Sequence, residues 1–538
     1  MKTEPPTEVH VQTVVGRPRE TGGLVSDEAA LAGLGYKQEF KRAFHPIEVF
    51  GLGFSIIGLF PSIASVLVFA IPYGGPVAVV WGWAVCSVFL MFVALALAEL
   101  GSAAPTSGGL YYWTWMYATP RWRKFLSWVV GCECSAGNSN SIGLIGGLAS
   151  IDWGCAVQLM AATYAVFVAL LVSHGIVASL ATSVIARLQG VYIALNVLLC
   201  LAIVIALPVA TPSEFKNTSS FAFGGFANFY GWPNGFAFVL SFLAPLWTIG
   251  GFDASVHISE EASNARTAVP WALVSAVGIA GLLGWIVNIV IAFCMGTDME
   301  SIMSNPIGQP MATILFNSLG RNGTLAVWSI VVVVQYLMGS SILTAASRQV
   351  FAFARDKGLP FSGLIYRVNR KTGTPVNAVW AAAFIALLLG LLAFAGPTAN
   401  SAIFSLAIAG QYIAYTIPIL SRFLGGRQWT PGPFSLGHFG LPVAIVAVAW
   451  MVFSVTILAF PTAPAPNAHG MNYMVVVIGG WIILCLVYYH IPVYGGACWF
   501  NGPLVTIEEA ESTGIVRAQD ESDTLDVFRQ EEKLEISD

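Results

Sequence analysis

Residues 241–266 read SFLAPLWTIGGFDASVHISEEASNAR. The stretch opens as an apolar membrane helix, breaks at Gly250-Gly251, resumes at Asp253 and ends on Glu260, Glu261 and Arg266. Lipid cannot satisfy freed backbone groups. A broken helix therefore persists in a membrane only where those groups line a cavity or bind something. The pattern predicts half of a substrate site.

The rest of the chain supports a membrane setting. Of 538 residues, 56% are hydrophobic and only 10% charged, against about a quarter charged in soluble domains. Mean hydropathy is +0.74. A spanning helix needs about 20 mostly apolar residues. Segments of that kind recur near 47–71, 76–100, 125–149, 155–177, 184–208, 236–260, 269–296, 324–352, 376–396, 400–421, 440–460 and 473–494. The fold class is an all-α membrane protein of about 12 transmembrane helices.

Composition also excludes several function classes. No basic stripe with interleaved aromatics is present, so nucleic acid is not an expected partner. The eight cysteines lie in or beside apolar segments, as Cys86, Cys200, Cys294 and Cys485 do, and read as buried free thiols. Cys132-x-Cys134 is too tight for a usual zinc site and has no partner pair, so no metal is expected. There is no G-x-S-x-G elbow, Walker loop or H-E-x-x-H pair, so neither an enzyme nor a cofactor is expected.

Three regions follow. Residues 1–45 form a polar tail that cannot bury a core. Residues 46–498 form the transmembrane domain, and residues 499–538 an acidic tail. The polar, mixed-charge first 45 residues have no early apolar core, so the first span is expected to act as the targeting signal in place of a cleavable one. Orientation follows from Lys and Arg. With the N-terminus in the cytosol, Arg121, Arg123, Lys124, Arg355, Lys357, Arg367, Arg370, Lys371, Arg422 and Arg427 all fall inside. Only Lys216 and Arg321 fall outside. Both termini are expected in the cytosol. The sequons at Asn217 and Asn322 fall in loops assigned outside, as glycosylation acceptors must.

Span one carries Pro61 in its middle, and proline kinks a helix by removing a backbone donor. Span six carries Pro245 and Gly250-Gly251. Interrupted helices five spans apart point to an inverted-repeat transporter. A helix restarting after a break presents free N–H groups that suit a carboxylate. A half-helix ending there presents carbonyls that suit an ammonium group. Together they fit a zwitterion. The expected substrate residues are Phe60, Pro61, Ser62 and Ile63 in span one, with Trp247, Thr248, Gly250, Gly251, Phe252 and Asp253 in span six.

Further polar residues have two readings each. Asp253 is an N-cap of the resumed helix or a ligand that attracts an amine or exchanges a proton. His257, four residues on, joins a proton path or is a satisfied polar residue. Glu260, Glu261 and Arg266 read as interfacial ion pairs or an inner gate. Glu133, inside span three, pairs with a substrate ammonium, titrates during proton symport, or hydrogen-bonds a neighbouring helix. Span eight carries Gln335, Ser340 and Ser341; its hydroxyls hold a sodium ion against span one or bond between helices. Gln411 and Tyr412 of span ten line an outer gate or simply pack. Glu48 and Glu99 read as interfacial.

Several stretches carry a family resemblance. GGPVAVVWGWAVC, FVALALAELGSAAPTSGGLYYWTW and GGFDASVHISEEASNARTAVPWA resemble the amino acid–polyamine–organocation superfamily. More narrowly, they resemble its fungal amino acid/choline branch, which includes the GABA permeases. The resemblance covers residues from about 40 to 500. It implies a LeuT-like fold of five-plus-five inverted repeats with discontinuous helices one and six and two extra helices. It implies uptake of GABA or a related small amino acid or amine, usually with protons as coupling ion. Choline, a polyamine or another organic cation is the alternative substrate, and a nutrient receptor without transport the alternative class. The expected location is the plasma membrane, with the vacuolar membrane as alternative. The branch pattern has tryptophan and asparagine where span three has Cys132, Glu133 and Cys134. It has a Gly-Ser-Gly-like turn where span one has Phe60-Pro61-Ser62. Oligomeric state is not legible.

Overall fold

A computed structural model describes residues 26–132, 139–159, 163–305, 309–359, 361–391, 397–466, 471–492 and 495–507. Glu133 lies outside the described residues. The described residues are mainly helical and contain no strand, only one isolated bridge between Phe44 and Ala262. Among the described residues, seven helices are long and apolar enough to cross a membrane; four shorter apolar helices lie between them in sequence and a fifth, Met474–His490, follows the last. Together they supply the expected succession of spans.

Span one runs from Pro46 to Tyr73, span two from Gly75 to Ala103, and span five from Thr182 to Ala210. Span six comprises Asn234–Thr248 and, after its break, Ala254–His257. Span seven is Ala265–Cys294. Span eight lies within Pro310–Arg355, which bends at Gly320. Span nine is Val376–Gly390, span ten Pro397–Leu424, span eleven Gly440–Leu458 and span twelve Met474–His490.

Spans three and four differ from the sequence expectation. One helix covers Arg123–Cys132, a second Ser139–Leu159, and span four is Thr163–Ala178. Apolar counting ends span three at 149 because Ser150 and Asp152 interrupt the run. The helix continues through them because Asp152 is buried against His174 of span four. A carboxylate that reads as a loop residue therefore lies inside the helical bundle.

The two interrupted helices lie together. The second half of span one, Leu59–Ala70, packs on Leu243–Thr248 of span six. The first half of span one, Pro46–Ile57, packs on Ala254–His257. The breaks thus meet mid-bundle, with span eight against both halves of span one and span three against spans eight and ten.

The described ends of both tails meet on one face. Tyr36, Phe40, Phe44 and Phe500 are buried. The Thr506 N–H donates to the Gly35 carbonyl at 2.9 Å. The Lys37 N–H donates to Thr506 Oγ1 at 2.8 Å. The packed body therefore extends to residues 26–45 and 499–507, which the sequence assigns to tails. Span seven begins at this face, where Ala265 N–H donates to Asp27 Oδ1 at 3.0 Å. It ends beside Asn217, whose amide donates to the Ala292 carbonyl at 2.8 Å. Asn217 and the tail segments thus lie at opposite ends of that span. Asn322 is exposed just past the bend at Gly320.

Candidate functional site

The span-one break falls at Gly58, not at Phe60–Ile63. Gly58 has φ 45° and ψ 58°, the left-handed region, and it both ends one half-helix and starts the next. Glycine is the residue that enters that region without a Cβ penalty. Pro61 sits in the first turn of the resumed half, where an N–H has no intrahelical acceptor anyway. Proline is tolerated there and marks a helix start rather than a kink. The Leu59 N–H donates to Asn196 Oδ1 of span five at 3.1 Å. Ser62 bridges the break, its Oγ donating to the Ile57 carbonyl at 2.6 Å.

The span-six break falls where the sequence places it. Helix ends at Thr248, Gly251 has φ 73°, and helix resumes at Ala254. Asp253 occupies the N-cap position, yet its side chain makes no capping bond. Its Oδ2 instead lies 3.4 Å from His257 Nε2, one helical turn on. His257 Nδ1 faces the Ser107 carbonyl at 3.0 Å. Both residues are buried.

A small central cavity of about 30 Å³ lies between the breaks. Its wall includes Ile56 and Ser62 of span one, Trp247, Gly250 and Gly251 of span six, Ile151 of span three, Met338 of span eight and Gln411 of span ten. Among the expected substrate residues, Ser62, Trp247, Gly250 and Gly251 line it; Phe60, Pro61, Ile63, Thr248, Phe252 and Asp253 do not. Ile63 faces a separate recess with Pro245 and Asn288. Tyr412 turns away from the cavity and lies against Tyr415, 6.2 Å between ring centroids. Its neighbour Gln411 takes the lining position instead.

The wall is mainly apolar and, among the described residues, carries no charge. Ser62, Gln411 and Trp247 supply its polar side chains, and the Trp247 indole N–H already donates to Ser150 Oγ at 3.2 Å. Such a wall suits a solute whose own charges cancel, because an unpaired charge in a dry site is costly. The volume admits water rather than a whole amino acid, so loading requires the wall to move.

Charge is concentrated toward the tail face. Glu260 accepts from Arg355 Nη1 at 2.8 Å and Nη2 at 3.0 Å, and from the Ser107 N–H at 3.0 Å. Glu261 accepts from Arg348 Nε at 2.8 Å. Both glutamates are in ion pairs, but these are buried and made with Arg355 and Arg348 of span eight, not with Arg266 at an interface. Glu99, expected at an interface, is instead buried and paired with Arg422. In span eight, Ser340 donates to Tyr192 Oη at 3.2 Å and Ser341 to Gln189 Oε1 at 3.4 Å. Gln335 donates to the Ile151 carbonyl at 3.3 Å. All three bond between helices, which for the two hydroxyls is the second reading.

Sequence reasoning missed the Asp152–His174 pair and the arginine partners of Glu260 and Glu261. The arginines served only as orientation signals, although their i, i+7 spacing, 348 and 355, places them on one helix face.

The amino acid permease family matches residues 44–482. The GABA-specific permease of Saccharomyces cerevisiae is 39% identical over 526 residues, covering 93% of this chain and 90% of that protein. An uncharacterized amino-acid permease of Schizosaccharomyces pombe is 38% identical, covering 92% of each chain. The amino-acid permease BAT1 of Arabidopsis thaliana is 33% identical, covering 90% and 97%. With its broken helices, mid-bundle cavity and this likeness along its length, the chain belongs to the amino acid permease family and is a multi-pass transporter rather than an enzyme.

Proposed function

We propose that this permease imports GABA or a closely related amino acid by proton symport, with the site alternately open to either side. The observation that carries the reading is the uncharged cavity between two helix breaks. Exposed helix ends there meet the carboxylate and the ammonium of a zwitterion without a fixed counter-charge. The likeness to a GABA-specific permease supports the choice of GABA. Ser62, Trp247, Gly250, Gly251 and Gln411 are the contacts in this reading.

The Lys and Arg distribution supports a cytosolic tail face, and the plasma membrane is the proposed location. The test is uptake of radiolabelled GABA into cells expressing the protein, with the proton gradient intact and collapsed. Gradient-dependent uptake above control is expected. Competition by choline or spermidine in place of amino acids would transfer the site to organic cations. Labelling of surface-exposed protein by a membrane-impermeant reagent checks the location.

A further inference from the structure

Span three places Asp152 against His174 of span four, in the interior of the bundle. Asp152 Oδ2 lies 3.1 Å from His174 Nδ1, and neither side chain has measurable exposure. An ionisable residue at membrane depth is costly and is retained for a task. The pair is one wall thickness behind the cavity: Ile151, which precedes Asp152, lines it, and so does Met338, which precedes Gly339. Gly339 is the contact that brings span eight onto the pair. A Cβ there would overlap Asp152 Oδ1 and come within 2.8 Å of His174 Nδ1.

The two buried Asp–His contacts differ in their freedom to change proton number. His257 has both ring nitrogens engaged, Nδ1 by a carbonyl and Nε2 by Asp253. A carbonyl accepts only, so Nδ1 carries hydrogen and the ring has no nitrogen left without a neighbour. His174 has only Nδ1 engaged. Its Nε2 and Asp152 Oδ1 have no hydrogen-bond partner among the described residues. A neutral His174 donating from Nδ1 to an ionised Asp152 is one complete state, with net charge −1. Adding one proton, at Nε2 or Oδ1, gives a second complete state, with net charge zero. Neither change breaks another bond.

We propose that Asp152 and His174 together bind the proton that drives uphill uptake, with the Met338–Gly339 turn of span eight linking that proton to the cavity. The proposal rests on the proton-symport reading. The unloaded pair carries a buried net charge and is disfavoured in the closed bundle, so the empty transporter does not complete its cycle without the proton. Met338 also touches the span-one break, its Sδ 3.9 Å from Ser62 Oγ, so substrate and proton press on the same turn.

Among the described residues, no other buried charge neutralises the pair. Tyr336 of span eight lies 4.4 Å from His174, ring to ring, and Cys155 lies one turn along span three within electrostatic reach of Asp152. Tyr164 of span four packs on Phe167. Arg348 and Arg355 of span eight pair with Glu261 and Glu260, and Arg321 is exposed. Span nine has no ionisable residue. In span ten, Tyr412 and Tyr415 pack together and Arg422 pairs with Glu99.

The test uses the purified full chain in proteoliposomes and radiolabelled GABA. Two activities are compared: counterflow at equal pH on both sides, and accumulation driven by an inward proton gradient. Wild type is expected to show both. Asp152→Asn is expected to keep counterflow while its accumulation ratio falls about tenfold, within the range of coupling between sites, and to lose the pH dependence of uptake. Wild-type accumulation in Asp152→Asn overturns the assignment and leaves proton symport standing. Counterflow without gradient-driven accumulation in wild type overturns proton symport and this assignment together. If Asp152→Asn loses both activities, Asp152→Glu decides. Restored accumulation with a displaced pH profile supports the pair as the proton site, and an unchanged profile overturns it.

Discussion

Arg355 grips Glu260 through two parallel hydrogen bonds, of 2.8 and 3.0 Å, with neither side chain exposed. The guanidinium also lies over the Tyr36 ring, 3.8 Å from its centroid. One contact thus ties span eight, the end of span six and the N-terminal segment. The fork matches the carboxylate geometry, which a lysine at 355 would not.

Removing one partner leaves the other charge buried and alone. Glu260→Gln or Arg355→Met should each cost about 3–5 kcal/mol. Glu260→Gln combined with Arg355→Met should cost less than the sum, because no lone charge remains. Thermal unfolding of the four proteins in detergent checks this. Strict additivity would show that the pair does not act as a unit.

Asp356 gives the tail clasp a pH dependence. Its carboxylate accepts from Tyr36 and Tyr111 hydroxyls at 2.8 and 2.7 Å, and from the Leu504 N–H at 3.1 Å. Burial pushes its carboxyl up to about 6, against the opposing pull of Arg355 and these donors. The folded group holds its proton to higher pH than the unfolded one. Its contribution is therefore complete below the ordinary value of 3.8 and is lost as pH rises through about 6. Hydrogen exchange at the Lys37, Leu504 and Thr506 amides should quicken across that window beyond its intrinsic rise. In Asp356→Asn the excess should vanish.

The spans, the paired interruptions and the span-six break are legible because hydropathy and Gly-Gly report local backbone constraints directly. The span-one break is misread because proline signals either a kink or a helix start, and only the fold distinguishes them. Ser62, Trp247, Gly250 and Gly251 reach the cavity, while Phe60, Ile63, Thr248 and Phe252 turn elsewhere, since helical phase at a break is set by the neighbouring helices. Asp152 is illegible for a different reason. A carboxylate in an apolar run looks like a loop until its histidine, 22 residues on, is seen beside it.

The two readings of span one predict opposite outcomes. A methyl at Gly58 would overlap the Met338 sulfur, and the backbone there is left-handed. Gly58→Ala should cost about 2–4 kcal/mol from crowding and conformation together and abolish uptake; Met338→Ala should restore part of the stability. Pro61→Ala restores an N–H in a first turn and should cost less than about 1 kcal/mol, with uptake retained. Loss of uptake in Pro61→Ala at normal stability would return the break to the proline.

Gln411 is a long polar side chain of the cavity wall, and its Oε1 points toward Gly250, 3.5 Å from where a Cβ would sit. The amide can meet either pole of a zwitterion: its oxygen an ammonium, its nitrogen a carboxylate. A hydrogen bond to a charged group contributes about 1.5–3 kcal/mol. Gln411→Ala should therefore raise the KM for GABA by about 10- to 100-fold, since 1.4 kcal/mol corresponds to a factor of ten, with a smaller change in maximal rate. Tyr412→Phe should leave KM unchanged, because that ring faces away from the cavity. Initial-rate uptake over a range of GABA concentrations separates the two. An unchanged KM in Gln411→Ala would move the substrate away from span ten, whereas a raised KM in Tyr412→Phe would mean that span ten turns during loading.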